Sequence, residues 1–171
     1  GLGDVYKRQV QEFKADIGIA FDGDGDRLGV VTDLGEMIFP DQLMMIFAKD
    51  VLAKHPQSQI IFDVKCSNLL AETIQTAGGE PVMSPTGHFH IKNALKKSGA
   101  PLAGEMSGHI FFNDQWYGFD DGHYSAFRLL EITAELNKPL SSIFEELPKA
   151  FSTPEINIDV QERRKFDIVE D

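Results

Sequence analysis

Three carboxylates stand at alternate positions in Phe21-Asp22-Gly23-Asp24-Gly25-Asp26-Arg27. Negative charges this close repel one another unless a cation neutralises them. Gly23 and Gly25 let the backbone curl so that the three side chains can converge. An all-oxygen donor set suits a hard cation, Mg²⁺ or Ca²⁺. A calcium helix–loop–helix starting at Asp22 would need Gly at its sixth position and usually Glu at its twelfth. Arg27 and Asp33 stand there instead, and the flanks read as strands rather than helices. Mg²⁺ shared with a substrate phosphate fits better. Arg27 supports phosphoryl chemistry, because a planar guanidinium braces phosphate oxygens. A solvated acidic turn is the plain alternative, and the local repulsion argues against it.

The elements that must position this loop alternate along the chain. Short strands are predicted at Ile17–Phe21, 28–33 and 36–39, with Leu34-Gly35 as a turn. Pro40-Asp41 opens a helix with Leu43, Ile46, Phe47 and Val51 on one face. A buried-type strand covers 59–64. Ser67 or Asn68 caps a helix through Ala77, and Gly78-Gly79 stops it. A strand at Glu80–Ser84 leads through Thr86-Gly87-His88 into a helix that Gly99 ends. Short strands come next at 101–103 and Ile110–Phe112. A long helix spans 122–137 with Phe127, Leu130 and Ala134 in its apolar stripe. A short helix runs from Pro139-Leu140 to near Pro148, and a last strand covers 155–160. This alternation predicts an α/β fold, a three-layer α/β/α sandwich with a mostly parallel mixed sheet. Lys65 succeeds the apolar run ending in Ile60-Ile61-Phe62-Asp63-Val64, at the strand end where ligands gather in open α/β sheets.

The chain has 171 residues and a formal net charge of −11, with 42% hydrophobic residues. That content can bury a core, and the acidic balance argues against broad nucleic-acid or anionic-membrane binding. The single cysteine, Cys66, excludes an internal disulfide and any multi-cysteine zinc site. No apolar run approaches a membrane span. A cytoplasmic setting is expected. Residues 1–9 show no apolar period and join abruptly to the segment that begins at Val10, so they read as a non-native or disordered leader.

The stretch Ala15-Asp16-Ile17-Gly18-Ile19-Ala20-Phe21-Asp22-Gly23-Asp24-Gly25-Asp26-Arg27 resembles the metal-binding loop of the α-D-phosphohexomutases, especially the bacterial phosphomannomutase/phosphoglucomutase branch. The resemblance continues through FPDQLMMIFAKDV, IIFDVKCSN, SPTGH and GEMSGH to WYGFDDGHYSAFRLLEI, and so covers residues 10–171. Family enzymes have four domains around one cleft. They interconvert hexose 1-phosphate and hexose 6-phosphate through a bisphosphorylated intermediate, with a phosphoserine in the first domain as donor. The resemblance implies that Asp22, Asp24 and Asp26 hold Mg²⁺ and that Arg27 lies near the reacting phosphate. It makes Gly104, Glu105 and Ser107 of the GEMSGH loop substrate-binding. Glu105 would accept hydrogen bonds from sugar hydroxyls, and Ser107 would donate and accept them. Lys65, His88 and His109 become candidates for proton transfer or phosphate contact. His55, His90 and His123 read as structural or surface residues, and Cys66 as a small buried residue rather than a nucleophile.

By the same resemblance, 10–36 is the C-terminal end of domain two with the metal loop. Residues 37–150 form domain three, and 151–171 begin domain four. No serine loop of the TASHNP type and no C-terminal phosphate-binding loop occur in the sequence. The chain is therefore expected to be a central fragment, inactive alone, of a parent that is a monomer or weak oligomer. Met106 in GEMSGH matches the mannose/glucose branch, whereas the glucosamine branch usually carries Gln there. The rival readings are a non-catalytic sugar-phosphate or metal-binding module, and a phosphatase or nucleotidyl transferase. The last lacks both an aspartyl nucleophile motif and a glycine-rich phosphate loop.

Overall fold

Alternating apolar residues build a small antiparallel sheet first. In the computed structural model, which describes residues 2–149, helix α1 (Leu2–Phe13) precedes strands β1 (Ile17–Phe21), β2 (Leu28–Thr32) and β3 (Met37–Ile38). These pair antiparallel in the order β1-β2-β3, with Phe21 opposite Leu28 across the acidic loop. This helix takes in most of residues 1–9, the segment read from the sequence as a non-native or disordered leader. Among its described side chains one apolar anchor is buried, Val10, which packs on β1, where its Cγ2 occupies the space a side chain at Gly18 would need. A single anchor leaves no apolar period to detect in the sequence.

Helix α2 (Pro40–Lys54) starts with Pro at its first position, where the missing N–H costs nothing. It is buried nearly all round, Met44, Met45, Ala48 and Leu52 joining the four residues expected on its inner face. The reason is its position: it packs between the second sheet, the next helix in the chain and the long C-terminal helix. Then come β4 (Gln59–Asp63), α3 (Asn68–Thr76), β5 (Glu80–Ser84), α4 (His88–Ser98), β6 (Leu102–Gly104), β7 (Ile110–Phe112), α5 (Gly122–Leu136) and α6 (Leu140–Glu145). Ser67 caps α3 by accepting from the Leu69 N–H, and Gly99 ends α4 in the left-handed region at φ 69°.

The second sheet has the order β5-β4-β6-β7; β4 is parallel to β5 and β6, and β7 is antiparallel to β6. Strands β4, β6 and β7 bury both faces. Ile60, Phe62, Leu102, Ile110 and Phe112 enter the main core with α2, α3 and α5, whereas Ile61, Ala103 and Phe111 pack under α4. This is the expected three-layer α/β/α sandwich with a mostly parallel mixed sheet. Because α3, which follows β4, and α4, which follows β5 and leads to β6, pack on opposite faces of the sheet, its crevice opens at the C-terminal ends of β4 and β6.

The apolar stripe expected on α5 is rotated. Phe127, Leu130 and Ala134 are exposed, and Ser125, Ala126, Arg128, Leu129 and Ile132 face inward. A buried arginine hides that face from a hydrophobicity pattern. The boundary placed at residue 37 is also no break in packing, since Leu28, Val30 and Ile38 share one core with α2, β4 and α5. Asp33 reinforces the join by accepting from the Ser141 N–H and hydroxyl at the start of α6, both at 2.9 Å. The strand expected at 155–160 lies outside the described residues. Among those described, no helix is long and apolar enough to cross a membrane.

Candidate active site

The acidic loop joins β1 to β2, and both hairpin strands fix its ends. One carboxylate oxygen from each of Asp22, Asp24 and Asp26 lies within 4.8 Å of the others. The backbone supports this convergence. Gly25 adopts φ 78°, and a Cβ there would meet the His123 ring at 2.8 Å. His123 itself stacks on Phe21, ring centroids 4.1 Å apart. The Gly122 N–H, at the start of α5, donates to the Gly25 carbonyl at 3.2 Å. The loop thus lies against a helix N-terminus, whose partial positive charge offsets part of the repulsion among the carboxylates. Partial desolvation alone would raise the Asp22 carboxyl, but the Arg27 backbone N–H and guanidinium together hold it below its ordinary range.

Gly122 cannot be replaced freely. A Cβ there would sit 2.7 Å from the Arg27 carbonyl oxygen and 2.8 Å from that of Gly25. Both obstacles are backbone, so the loop would have to move. Gly122→Ala is expected to destabilise the fold by about 1–3 kcal/mol, as overpacking does, and to weaken cation binding by the loop. Thermal denaturation and a Mg²⁺ titration check the two effects.

A second loop, 105–109 between β6 and β7, is stapled to the first. Arg27 and His109 form an isolated antiparallel bridge, and the Leu28 N–H donates to the Gly108 carbonyl. Gly108, at φ 100°, makes the turn possible. His109 is bracketed by acids, with Nδ1 3.1 Å from Glu105 Oε2 and Nε2 3.4 Å from Asp26 Oδ2. The Arg27 Nε–H also donates to His109 Nε2 at 3.2 Å. Ser107 is exposed, its Oγ 2.9 Å from His109 Nδ1.

Two expected substrate contacts, Glu105 and Gly104, are buried. Glu105 is only 1% exposed. Its Oε1 accepts from the Gly87 N–H at 2.6 Å, while Oε2 faces His109. Both carboxylate oxygens thus have protein partners. Gly104 is a buried residue of β6, where a Cβ would run into Met44. Close packing on α2 explains its lack of a side chain.

The remaining candidates stand at the same end of the sheet. Lys65 is exposed directly after β4. His88 is the exposed first residue of α4, its ring centroid 6.0 Å from that of His109. Sequence reasoning missed Asp120. Its side chain is nearly buried, accepts from Lys92 Nζ at 2.7 Å and lies 3.7 Å from His88 Nδ1. It also comes within 4.8 Å of Asp26 and His109. The signal was the pair Asp120-Asp121: Asp121 is consumed as the N-cap of α5, accepting from the Tyr124 N–H, and leaves its neighbour to the site.

Cys66 is buried and takes no part. Burial pushes its thiol up, and donation to Asp63 Oδ1 at 3.1 Å pushes it further. Only the thiolate is nucleophilic. The folded chain is therefore expected to react with an aromatic disulfide reagent at pH 8 about a hundred-fold more slowly than the urea-unfolded chain. Absorbance of the released thiolate measures both rates.

Comparison with known proteins places the fold in a family. The family described as phosphoglucomutase/phosphomannomutase, alpha/beta/alpha domain III, matches residues 39–151. A phosphomannomutase/phosphoglucomutase of Pseudomonas syringae pv. tomato is 57% identical over 162 residues, covering 95% of this chain and 35% of its own length. A phosphoglucomutase of Neisseria gonorrhoeae is 55% identical over 148 residues, covering 86% of this chain and 32% of its own. The crystal structure of a phosphoglucomutase/phosphomannomutase family protein from Burkholderia thailandensis superposes with a TM-score of 0.85 at 55% identity, covering 90% of this chain and 33% of that one. The chain thus spans about a third of the length of these relatives. With the matched domain filling most of the sandwich and identity above half over nearly the whole chain, the protein belongs to the phosphoglucomutase/phosphomannomutase family.

Proposed function

We propose that this chain supplies the metal loop and the sugar-recognition face of a phosphohexomutase that interconverts hexose 1-phosphate and hexose 6-phosphate, of mannose or glucose, through a bisphosphorylated intermediate. One observation carries the reading. Three converging carboxylates are joined through the Arg27–His109 bridge to the loop that bears Glu105 and Ser107. A phosphate centre and a hydroxyl-recognising loop side by side suit a phosphosugar.

Asp22, Asp24 and Asp26 would hold Mg²⁺. The donor set fits the ion, being all oxygen, and Asp26 Oδ1 is a buried acceptor with no hydrogen-bond partner. Bound there, the ion supplies charge stabilisation for a transferring phosphoryl group. Arg27 braces phosphate oxygens. His88 and His109 serve proton transfer at a sugar hydroxyl, with Lys65 facing the same group. Ser107 contacts the sugar. Glu105 holds His109 by its Nδ1 side, which directs Nε2 toward Asp26 and Arg27. Residues 37–150 are placed as domain three, a boundary supported by the family match at 39–151. Residues 10–36 are placed as the end of domain two and 151–171 as the start of domain four.

Phosphoryl exchange through a bisphosphate needs a covalent phosphoryl carrier, and no TASHNP-type serine loop is among the 171 residues. This chain alone is expected to show no mutase turnover above an Asp24→Ala blank in a coupled assay with glucose 1-phosphate, Mg²⁺ and a bisphosphate activator. It should nonetheless bind Mg²⁺ weakly. Amide shifts of residues 22–27 should move at millimolar metal, and unmoved shifts would overturn the metal assignment.

A further inference from the structure

We propose that Asp63 is the positioning residue that sets the three loops of the site relative to one another, an inference that rests on the phosphohexomutase reading above. Asp63 ends β4 and is fully buried. A carboxylate in that position is costly unless donors surround it. It accepts from three, and each belongs to a different loop. Oδ1 takes the Cys66 thiol at 3.1 Å, in the loop after β4 that carries Lys65. Oδ2 takes the Thr86 hydroxyl at 2.9 Å, in the loop after β5 that leads into His88. Oδ1 also takes the Met106 N–H at 3.0 Å, in the loop after β6 that carries Glu105, Ser107 and His109.

The three loops leave three neighbouring strands at one edge, and pairing between β4 and β5 carries only one residue past the end of β4. The Val64 N–H to the Ser84 carbonyl is the last rung between β4 and β5. Glu105 adds a second tie, through the Gly87 N–H. That tie joins the loops after β5 and β6 but does not reach the loop after β4. Asp63 makes side-chain hydrogen bonds to all three. Satisfied buried polar networks of this kind specify one arrangement where an apolar residue would leave several open. The arrangement matters because a misplacement of about 1 Å at a reacting centre can cost on the order of a hundred-fold in rate.

The test separates hydrogen-bonded positioning from charge and from stability. In the full-length enzyme, Asp63→Ala is expected to lower kcat/KM about a hundred-fold, measured well below its melting temperature. Asp63→Asn should return to within about threefold of wild type. Its amide oxygen can still accept from Met106 and Cys66, and its NH₂ can donate to a Thr86 hydroxyl that turns to accept. Wild-type kcat/KM in folded Asp63→Ala overturns the proposal, as does an Asp63→Asn variant as impaired as Asp63→Ala. Should Asp63→Ala not fold, Thr86→Val removes a single tie, and roughly a tenfold loss is expected, with Thr86→Ser near wild type. Unchanged kinetics in Thr86→Val overturn it equally. In the present chain, hydrogen exchange gives a readout independent of mutase activity. Thr86→Val should speed exchange at the Gly87 and Gly108 amides about tenfold while Leu129 and Ile132 in α5 stay unchanged. A uniform change, or none, counts against the positioning role whatever reaction the site performs.

Discussion

Replacing Asp24 by alanine is expected to lower kcat of the full-length enzyme roughly a thousand-fold, the scale on which removing one preorganised electrostatic group acts. Asp24 is exposed, and its part in the fold is confined to the acidic loop. Its removal relieves repulsion from Asp22 and Asp26, so stability should change by no more than about 0.5 kcal/mol in either direction. Activity and stability therefore separate at this position. Steady-state kinetics across a Mg²⁺ series, alongside thermal melts, would show a collapsed kcat that excess metal restores only in part. A variant with kcat within tenfold of wild type at saturating Mg²⁺ would remove Asp24 from the metal site.

The opposite separation is expected at Arg128. Its guanidinium is 3% exposed and donates from Nη1 to both oxygens of Asp114 at 3.0 and 2.8 Å. Nη2 donates to Asp50 at 2.8 Å, and the cation lies 4.6 Å from the Phe112 ring centroid. Burial alone would lower its proton affinity, but the Tyr124 hydroxyl and the two carboxylates more than reverse that, so Arg128 stays charged. The Asp114 side chain is itself wholly inaccessible. Arg128→Ala would strand that carboxylate, and breaking a buried pair by removing one partner costs about 3–5 kcal/mol. For a chain of this size that corresponds to a fall in Tm of roughly 6–20 °C. Arg128→Lys keeps the charge but loses the two-pronged geometry, and should fall between wild type and Arg128→Ala. A melt of Arg128→Ala within 2 °C of wild type, about one kcal/mol or less, would show the network to be dispensable.

The same residue marks where the sequence misleads. The strands were legible because Ile17–Phe21 and Ile110–Phe112 are short apolar runs between turn residues and Glu80–Ser84 follows the Gly78-Gly79 stop, and their limits match the structure. The helix ends were legible through Ser67 and Gly99, which act by local backbone chemistry. The face of α5 was not. A hydrophobicity pattern places Phe127 inside and Arg128 outside, and only two acids brought from Asp50 and Asp114 reverse the choice. The acidic loop was readable because its residues are adjacent in sequence. Asp120 and Asp63 were not, since their roles depend on partners brought from other elements: His88, Lys92, His109 and Asp26 for one, Thr86 and Met106 for the other. The GEMSGH motif also gives no hint that the Gly87 N–H occupies one oxygen of Glu105.

The contact between the Gly122 N–H and the Gly25 carbonyl has a consequence during synthesis. The two residues are 97 positions apart, and the Phe21–His123 stack spans a longer interval still. At about 5–20 residues per second, the acidic loop leaves the ribosome roughly 5 to 20 s before the helix start that supports it. Throughout that interval its three carboxylates belong to a hairpin without its backing, and for most of it β4, β5 and β6 have not all been made. Selective cation capture should therefore arise late, once α5 has docked, so that the metal finds a finished site instead of holding a nascent chain in a premature shape.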